Sequence, residues 1–266
     1  MTVTAALAQF ATDLDKDANR KFTVDAFTAA REAGARLVVT PENSMYADFA
    51  KVDTDSPWPE PLDGPFVTAV REAARSTGVA GVVGFSEKLP DDRRASNTLV
   101  AVDGSGELLG VYRKVHLYDA FGYRESDTIA PADIADPLVF ELDGITFGAM
   151  TCYDIRFPES ARVLADAGAT ALIVPAAWAA GPAKEEHWAT LVRARAIENT
   201  VYVLACGQTG PSCVGQSVIV DPMGTVVAGA GERPGVVTAP LSPERVESVR
   251  RVNPSLANRR FAVVPA

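Results

Sequence analysis

The run Phe147-Gly-Ala-Met-Thr-Cys152-Tyr-Asp-Ile-Arg-Phe-Pro158-Glu159 decides how the rest of the chain is read. An apolar, strand-like stretch ends at Cys152, and Pro158 suits the first turn of a helix. Open α/β folds place their ligands above such strand-to-helix corners, so a thiol here is presented where chemistry is done. The bland alternative is a small buried apolar residue, which a cysteine at a strand end more often is. With three cysteines and only two histidines in the chain, a Cys-His pair is poorly supplied. A nucleophilic Cys152 therefore needs another activating group.

Working outward from this corner, strand and helix signals alternate. Thr2 to Phe10 predicts a strand and Lys16 to Ala33 a helix, with Gly34 at the left-handed cap position. Leu37 to Thr40 is a short buried strand leading into Pro41-Glu42. A second helix opens at Gly64-Pro65 and stops at Gly78, and Val79 to Phe85 is the next strand. Asp103-Gly-Ser-Gly106 and Asp143-Gly144 predict hairpins, joining Asn97–Val102 to Leu108–Tyr112 and Leu138–Leu142 to Ile145 onward. Beyond Cys152 come a helix Pro158–Ala167, a strand Ala171–Val174 and a longer helix Lys184–Asn199. On that helix Trp188, Leu191, Val192 and Ile197 share one face. Strand Val201–Ala205, a pair Ser217–Val220 with Thr225–Val227, and a helix near Ser242-Pro243 complete the pattern. The tail from Arg250 shows no clear element.

Hairpins mixed with β-α-β units predict mixed sheets. Ten or more strands are many for one open sheet. The expected fold is therefore α/β, with two packed mixed sheets and helices on their outer faces. No Pro/Gly/Ser linker divides the 266 residues, so residues 1–266 read as a single domain.

Composition bounds the function. The formal charge of −9 (25 Lys and Arg against 34 Asp and Glu) argues against nucleic acid, which needs clustered cations for its phosphates. No apolar run approaches the roughly 20 residues that span a bilayer, so no membrane association is expected. The odd cysteine count without C-x-x-C spacing suggests reduced thiols in a cytoplasm, with neither a disulfide framework nor a metal site.

Glu42, Lys114 and Cys152 each follow a strand. If those strands are parallel neighbours, the three side chains meet over one sheet edge. Together they suit attack on a carbonyl. A carboxylate whose pKa is raised by desolvation takes the thiol proton, while Lys114 and the N–H of Tyr153 stabilise the oxyanion. The chemistry expected is amide hydrolysis through a thioester, without cofactor or metal.

Five runs carry a family resemblance: Val38-Val-Thr-Pro-Glu-Asn43, Tyr112-Arg-Lys-Val-His-Leu-Tyr-Asp119, Cys152-Tyr-Asp-Ile-Arg-Phe-Pro-Glu159, Arg193-Ala-Arg-Ala-Ile-Glu-Asn199 with Val201-Tyr-Val203, and Gly215-Gln-Ser-Val-Ile-Val-Asp-Pro-Met-Gly224. The chain resembles the nitrilase superfamily of carbon-nitrogen hydrolases over nearly its whole length. The resemblance implies a four-layer α-β-β-α sandwich, a homodimer or higher homo-oligomer, and a triad falling on Glu42, Lys114 and Cys152. It also implies a second glutamate, Glu125, which positions Lys114 or substrate. Nitrilases of this superfamily typically place Trp-Glu after the nucleophile and N-carbamoyl hydrolases Asn-Asp. Tyr153-Asp154 here is similar to the amidase branches, among them ω-amidase and deaminated-glutathione amidase relatives. A small aliphatic or ω-amide is the implied substrate, with N-carbamoyl compounds or nitriles as the alternative.

Two segments depart from those branches. Ala180-Gly-Pro-Ala-Lys-Glu-Glu-His-Trp188 inserts Lys184 to Glu186 relative to their usual Thr-Gly-Pro-Ala-His-Trp, and Gly207 to Gly215 is short. Both are expected in the pocket wall. Tyr46, Tyr118 and Trp178, each shortly after a proposed catalytic strand, are candidate substrate-binding aromatics, joined by Tyr153. His116 is expected to hydrogen-bond beside the site, His187 to cap or pack at the long helix, Cys206 to lie in the core, and Cys213 to be exposed. Asp154, Arg156 and Glu159 are expected to brace the nucleophile corner through ion pairing and capping.

Overall fold

The computed structural model describes residues 2–49, 58–134 and 136–265. The strands are β1 (Val3–Gln9), β2 (Leu37–Val39), β3 (Ala80–Lys88), β4 (Ala95–Val102), β5 (Leu108–Arg113), β6 (Asp119–Ala120), β7 (Tyr123–Arg124), β8 (Val139–Leu142), β9 (Ile145–Ala149), β10 (Ala171–Ala176), β11 (Tyr202–Gly207), β12 (Val218–Val220), β13 (Val226–Gly229) and β14 (Gly235–Leu241). The helices are α1 (Lys16–Glu32), α2 (Pro65–Thr77), α3 (Pro158–Asp166), α4 (Lys184–Asn199) and α5 (Pro243–Val252). Two six-stranded sheets form, ordered β14-β1-β2-β3-β4-β5 and β13-β12-β11-β10-β9-β8, with β6 and β7 a separate small ribbon.

Both sheets are mixed. β1, β2 and β3 run parallel, as do β9, β10 and β11, and hairpin strands extend each sheet antiparallel. The predicted β8–β9 turn places Asp143 at φ 49 and Gly144 at φ 84. That is the left-handed pair a two-residue hairpin demands, because its twist matches the strands it joins.

Alternation along the strands builds the layers. In β1, Val3, Ala5 and Leu7 point into a core between the sheets, while Ala6 and Ala8 face α1 and α2. In β10, Ala171 and Ile173 join that central core, and Leu172 and Val174 pack under α3 and α4 with Trp188 and Val192. Each central strand is thus apolar on both faces, as strands buried on both sides must be. The expected α-β-β-α sandwich is the observed one.

Several expectations need correction. Ile197 of α4 is 45% exposed and Leu191 only partly buried; the inner face is carried by Trp188, Val192, Arg195, Ala196 and Asn199. Cys213 is buried at 5% exposure. Strand β14 lacks an obvious signature because Pro240 interrupts it; it lies at the sheet edge, where a missing N–H is tolerated. Helix α5 runs on to Val252, past the expected start of the tail. Among the described residues no helix is long and apolar enough to cross a membrane.

One backbone approach fixes the end of β11 against the loop behind it. Gly207 donates its N–H to Ser217 Oγ at 2.9 Å, and a Cβ at Gly207 would collide with the Gly215 carbonyl oxygen. We expect Gly207→Ala to lower stability by roughly 1–3 kcal/mol through overpacking, read as a fall in Tm by calorimetry. An unchanged Tm would show that this approach is not fixed.

Candidate active site

The residue types that follow the strands meet, but not over one sheet. Glu42 and Lys114 leave β2 and β5 of the first sheet, and Cys152 leaves β9 of the second. They converge where the two sheets face one another, which corrects the expectation of a single shared edge. β5 is also antiparallel to its neighbour, so its end is brought to the site by the hairpin and not by a parallel crossover.

Glu42 is 2% exposed and Lys114 1%. Lys114 Nζ donates to Glu42 Oε1 at 2.8 Å and to both oxygens of Glu125, at 3.1 and 2.9 Å. The expected second glutamate therefore touches Lys114 directly. An ammonium carries three protons, and three carboxylate oxygens of the two glutamates accept from it.

Asn97 of β4, missed in the sequence, clamps the same pair: its Nδ2 donates to Glu42 Oε1 at 2.7 Å and to Glu125 Oε1 at 3.0 Å. The second sheet supplies the other oxygen's partner, the Ala177 N–H at 2.6 Å from Glu42 Oε2. Gln208, also missed, donates to the Glu42 carbonyl at 2.7 Å. The only signal for Asn97 and Gln208 was polarity at the ends of otherwise apolar strands.

These contacts set the protonation states. Burial by itself would raise the Glu42 pKa, but the Lys114 charge and the hydrogen bonds from Lys114, Ala177 and Cys152 outweigh it and hold the carboxyl below its usual 4.5. The expectation of a raised Glu42 pKa is overturned. Burial opposes the charged form of Lys114 as well, yet Glu125 and Glu42 keep it well above 10.5. Burial and the Glu42 charge push the Cys152 thiol well above 9, against the weaker pull of Lys114. At neutral pH the site holds an ionised Glu42, the Lys114 ammonium and a protonated Cys152 thiol hydrogen-bonded to Glu42.

Cys152 sits at φ +45°, a region sparsely used by residues with a Cβ. Asp154 holds the corner in this form. Its Oδ2 accepts from the Thr151 N–H at 2.8 Å and from Tyr112 OH at 2.7 Å, and its Oδ1 lies 2.8 Å from His116 Nδ1. His116 stacks on Phe157 at 3.8 Å, so it braces the corner and does not serve the thiol. Glu159 is exposed and takes no part. Arg156 lies over Trp178, 4.8 Å from the ring centre, with His187 Nδ1 3.3 Å from its guanidinium.

Two cavities flank the charges. About 230 Å³ of space beside Cys152 is lined by Tyr118, Tyr153, Ala177, Trp178, Ala179 and Lys184. Three of the four candidate aromatics are therefore beside the thiol. Tyr46 is not: it stacks on Trp58 and lines a larger cavity of about 620 Å³ beyond Glu125, whose walls do not include Cys152. Cys206 lies in the core, where burial lifts its thiol to about 12.

The carbon-nitrogen hydrolase family matches residues 4–251. The chain is 38% identical over 257 residues to the deaminated glutathione amidase of Escherichia coli O157:H7, covering 97% of each protein. Its fold matches that of Saccharomyces cerevisiae Nit3, described as a member of branch 10 of the nitrilase superfamily, with a TM-score of 0.85, 31% identity, and 98% and 97% of the two chains covered. A double mutant of the amidase from Nesterenkonia sp. AN1 in complex with acrylamide is also similar, with a TM-score of 0.81, 28% identity, and 97% and 94% coverage. The chain belongs to the carbon-nitrogen hydrolase family of the nitrilase superfamily, and is an enzyme of its amidase branch.

Proposed function

We propose that the protein hydrolyses a small aliphatic or ω-amide to a carboxylate and ammonia through a thioester on Cys152. The observation that carries this reading is the buried cluster itself: a protonated thiol hydrogen-bonded to an ionised carboxylate, which in turn holds a fixed ammonium.

The amide carbonyl enters the cavity beside Cys152. As Sγ bonds to the carbonyl carbon, its proton passes to Glu42 and the carbonyl π pair moves onto oxygen. Lys114, turning one proton from its two-oxygen contact with Glu125, and the Tyr153 N–H receive that oxyanion. The intermediate collapses, the C–N bond breaks, and Glu42 returns its proton to the departing nitrogen, which leaves as ammonia. Glu42 then takes a proton from water as the water oxygen attacks the thioester. The C–S bond breaks, the proton on Glu42 returns to sulfur, and the product acid leaves and gives its remaining proton to solvent or to the released ammonia. Because the thiol is protonated at rest, its proton must move during attack; a lowered Glu42 pKa keeps the base ionised for that step. Glu125 positions Lys114, and Tyr118, Tyr153 and Trp178 form the walls around the substrate. Tyr46 is too far round the cluster to join them and is assigned to the cavity beyond Glu125.

The same reading treats residues 1–266 as one catalytic domain, in the cytoplasm, working as a homodimer or larger homo-oligomer. Exposed Ile197 lies against Gly224 in the turn that carries exposed Met223 and leads to exposed Val226, an apolar patch suited to a second copy. Sedimentation at micromolar concentration should give a mass above one chain; a monomer would remove this part of the reading.

Cys152→Ala should lower kcat for ammonia release by at least about 10⁴-fold, and Glu42→Gln by about 10²–10⁴-fold. Full activity in Glu42→Gln would eliminate the proposed base. Carbon dioxide among the products would point instead to an N-carbamoyl substrate. Glu42 titrates below 4.5 and Lys114 above 10.5, so the pair stays ionised across the neutral range. kcat/KM should therefore show no bend in the histidine range of about 6 to 7. A bend there would transfer the base role to His116.

A further inference from the structure

The two glutamates that hold Lys114 differ in their lone pairs. A carboxylate offers about four acceptor sites, two on each oxygen. Before attack, all four on Glu125 are taken. Its Oε1 accepts from Lys114 at 3.1 Å and from Asn97 at 3.0 Å, and its Oε2 from Lys114 at 2.9 Å and from the Tyr118 N–H at 2.6 Å. Glu42 Oε1 is filled in the same way, by Lys114 at 2.8 Å and Asn97 at 2.7 Å. Glu42 Oε2 accepts from the Ala177 N–H at 2.6 Å, and Ala177 lines the cavity that holds Cys152. One site therefore remains on Oε2 for the thiol that hydrogen-bonds Glu42.

Asn97 fills one site on each glutamate. It is buried on β4, and its backbone carbonyl accepts from the Lys114 N–H at 2.9 Å. One residue thus fixes the lysine through its backbone and both of the lysine's partners through its amide. The amide has a required orientation, because turned over it would aim Oδ1 at two carboxylates. In the orientation it keeps, buried Oδ1 has no hydrogen-bond partner among the described residues, which is unfavourable in a dry interior. Packing alone would not select an asparagine here; donation to the carboxylates does.

We propose that Asn97 is a positioning residue, which leaves Glu42 Oε2 as the open carboxylate site of the cluster and so assigns the role of base to Glu42 and withholds it from Glu125. Lys114 cannot make that choice by itself, because it bonds both glutamates. Being neutral, the amide supplies two donors without adding a charge to the cluster. Asn97 does not line the cavity beside Cys152, so it acts through Glu42. The inference deepens the reading of Glu42 as base and rests on it.

The groups that face Glu42 are Lys114 after β5, Glu125 after β7 and Cys152 after β9; Tyr123 and Cys213 also feel its charge. Alkylation of Cys152 by iodoacetamide reads the base without amide turnover. Sulfur bonds to carbon, iodide leaves with the C–I pair, and the thiol proton passes to Glu42. Peptide mass spectrometry follows the rate at Cys152 below pH 8. In the unmodified protein the rate should stay level down to the usual carboxylate range, because Glu42 titrates below 4.5. Asn97→Leu removes a donor to the charged form, so the acid limb should rise by about one to two pH units. Asn97→Asp should raise it further, because a third carboxylate joins the cluster. A purely structural Asn97 would lower Tm and the amount of reactive protein and leave the limb where it is. An unmoved limb in either folded variant, or failure of both to fold, overturns the proposal. A full rate with no limb in Glu42→Gln shows instead that the reading of Glu42 as base is at fault.

Discussion

Lys114 lies buried between the carboxylates of Glu42 and Glu125, and the arrangement of both sheets answers to that contact. Removing one member of such a set leaves an uncompensated charge in a dry interior, a loss of about 3–5 kcal/mol. The protein answers by saturating the charges. Lys114 and Asn97 bond Glu42 from the first sheet, Ala177 bonds its other oxygen from the second, and Gln208 holds its carbonyl. Glu42 is thus one point at which the two sheets are joined by polar contacts as well as by the apolar core between them.

From this arrangement the proposed chemistry follows in order. A lysine buried against two carboxylates cannot lose its proton, so it is a fixed positive pole. A carboxyl group beside it cannot readily gain one, so it remains a base. A thiol beside that base cannot ionise in advance, so ionisation is coupled to attack. Each statement concerns one group, but all three come from the same contact. The strained φ at Cys152 and the Asp154 contacts that hold it present the sulfur at the start of the reaction path, without the adjustment a flexible loop would need.

Much of this could be read from the chain before any coordinates. Cys152, Glu42 and Lys114 were legible because each follows a strand signal in a run of known order, and Glu125 only because the family resemblance points to it. The layer order was legible because apolar residues fill both faces of β1, β10 and β11. What was not legible depends on tertiary placement. Nothing local tells that β2 and β9 belong to different sheets, so one shared edge was the natural but wrong picture. Asn97 and Gln208 are ordinary polar residues until their partners are known. The Glu42 pKa turned on the Lys114 charge and on hydrogen bonds that tertiary placement supplies, and desolvation, the part a sequence suggests, was outweighed. Ile197 fits the helical period of α4 yet faces outward. The insertion beginning at Lys184 was visible as a departure from related chains, but that it carries a cation into the cavity was not.

The central claim is that Cys152 carries the acyl group during turnover. Acid quenching of the enzyme in the first moments of reaction with a slowly hydrolysed amide, followed by intact-mass and peptide mass spectrometry, tests it most directly. The account predicts an adduct equal to the substrate mass less ammonia, on the peptide that contains Cys152. An enzyme that turns over with no such adduct, or one that carries it on Cys206 or Cys213, would contradict it.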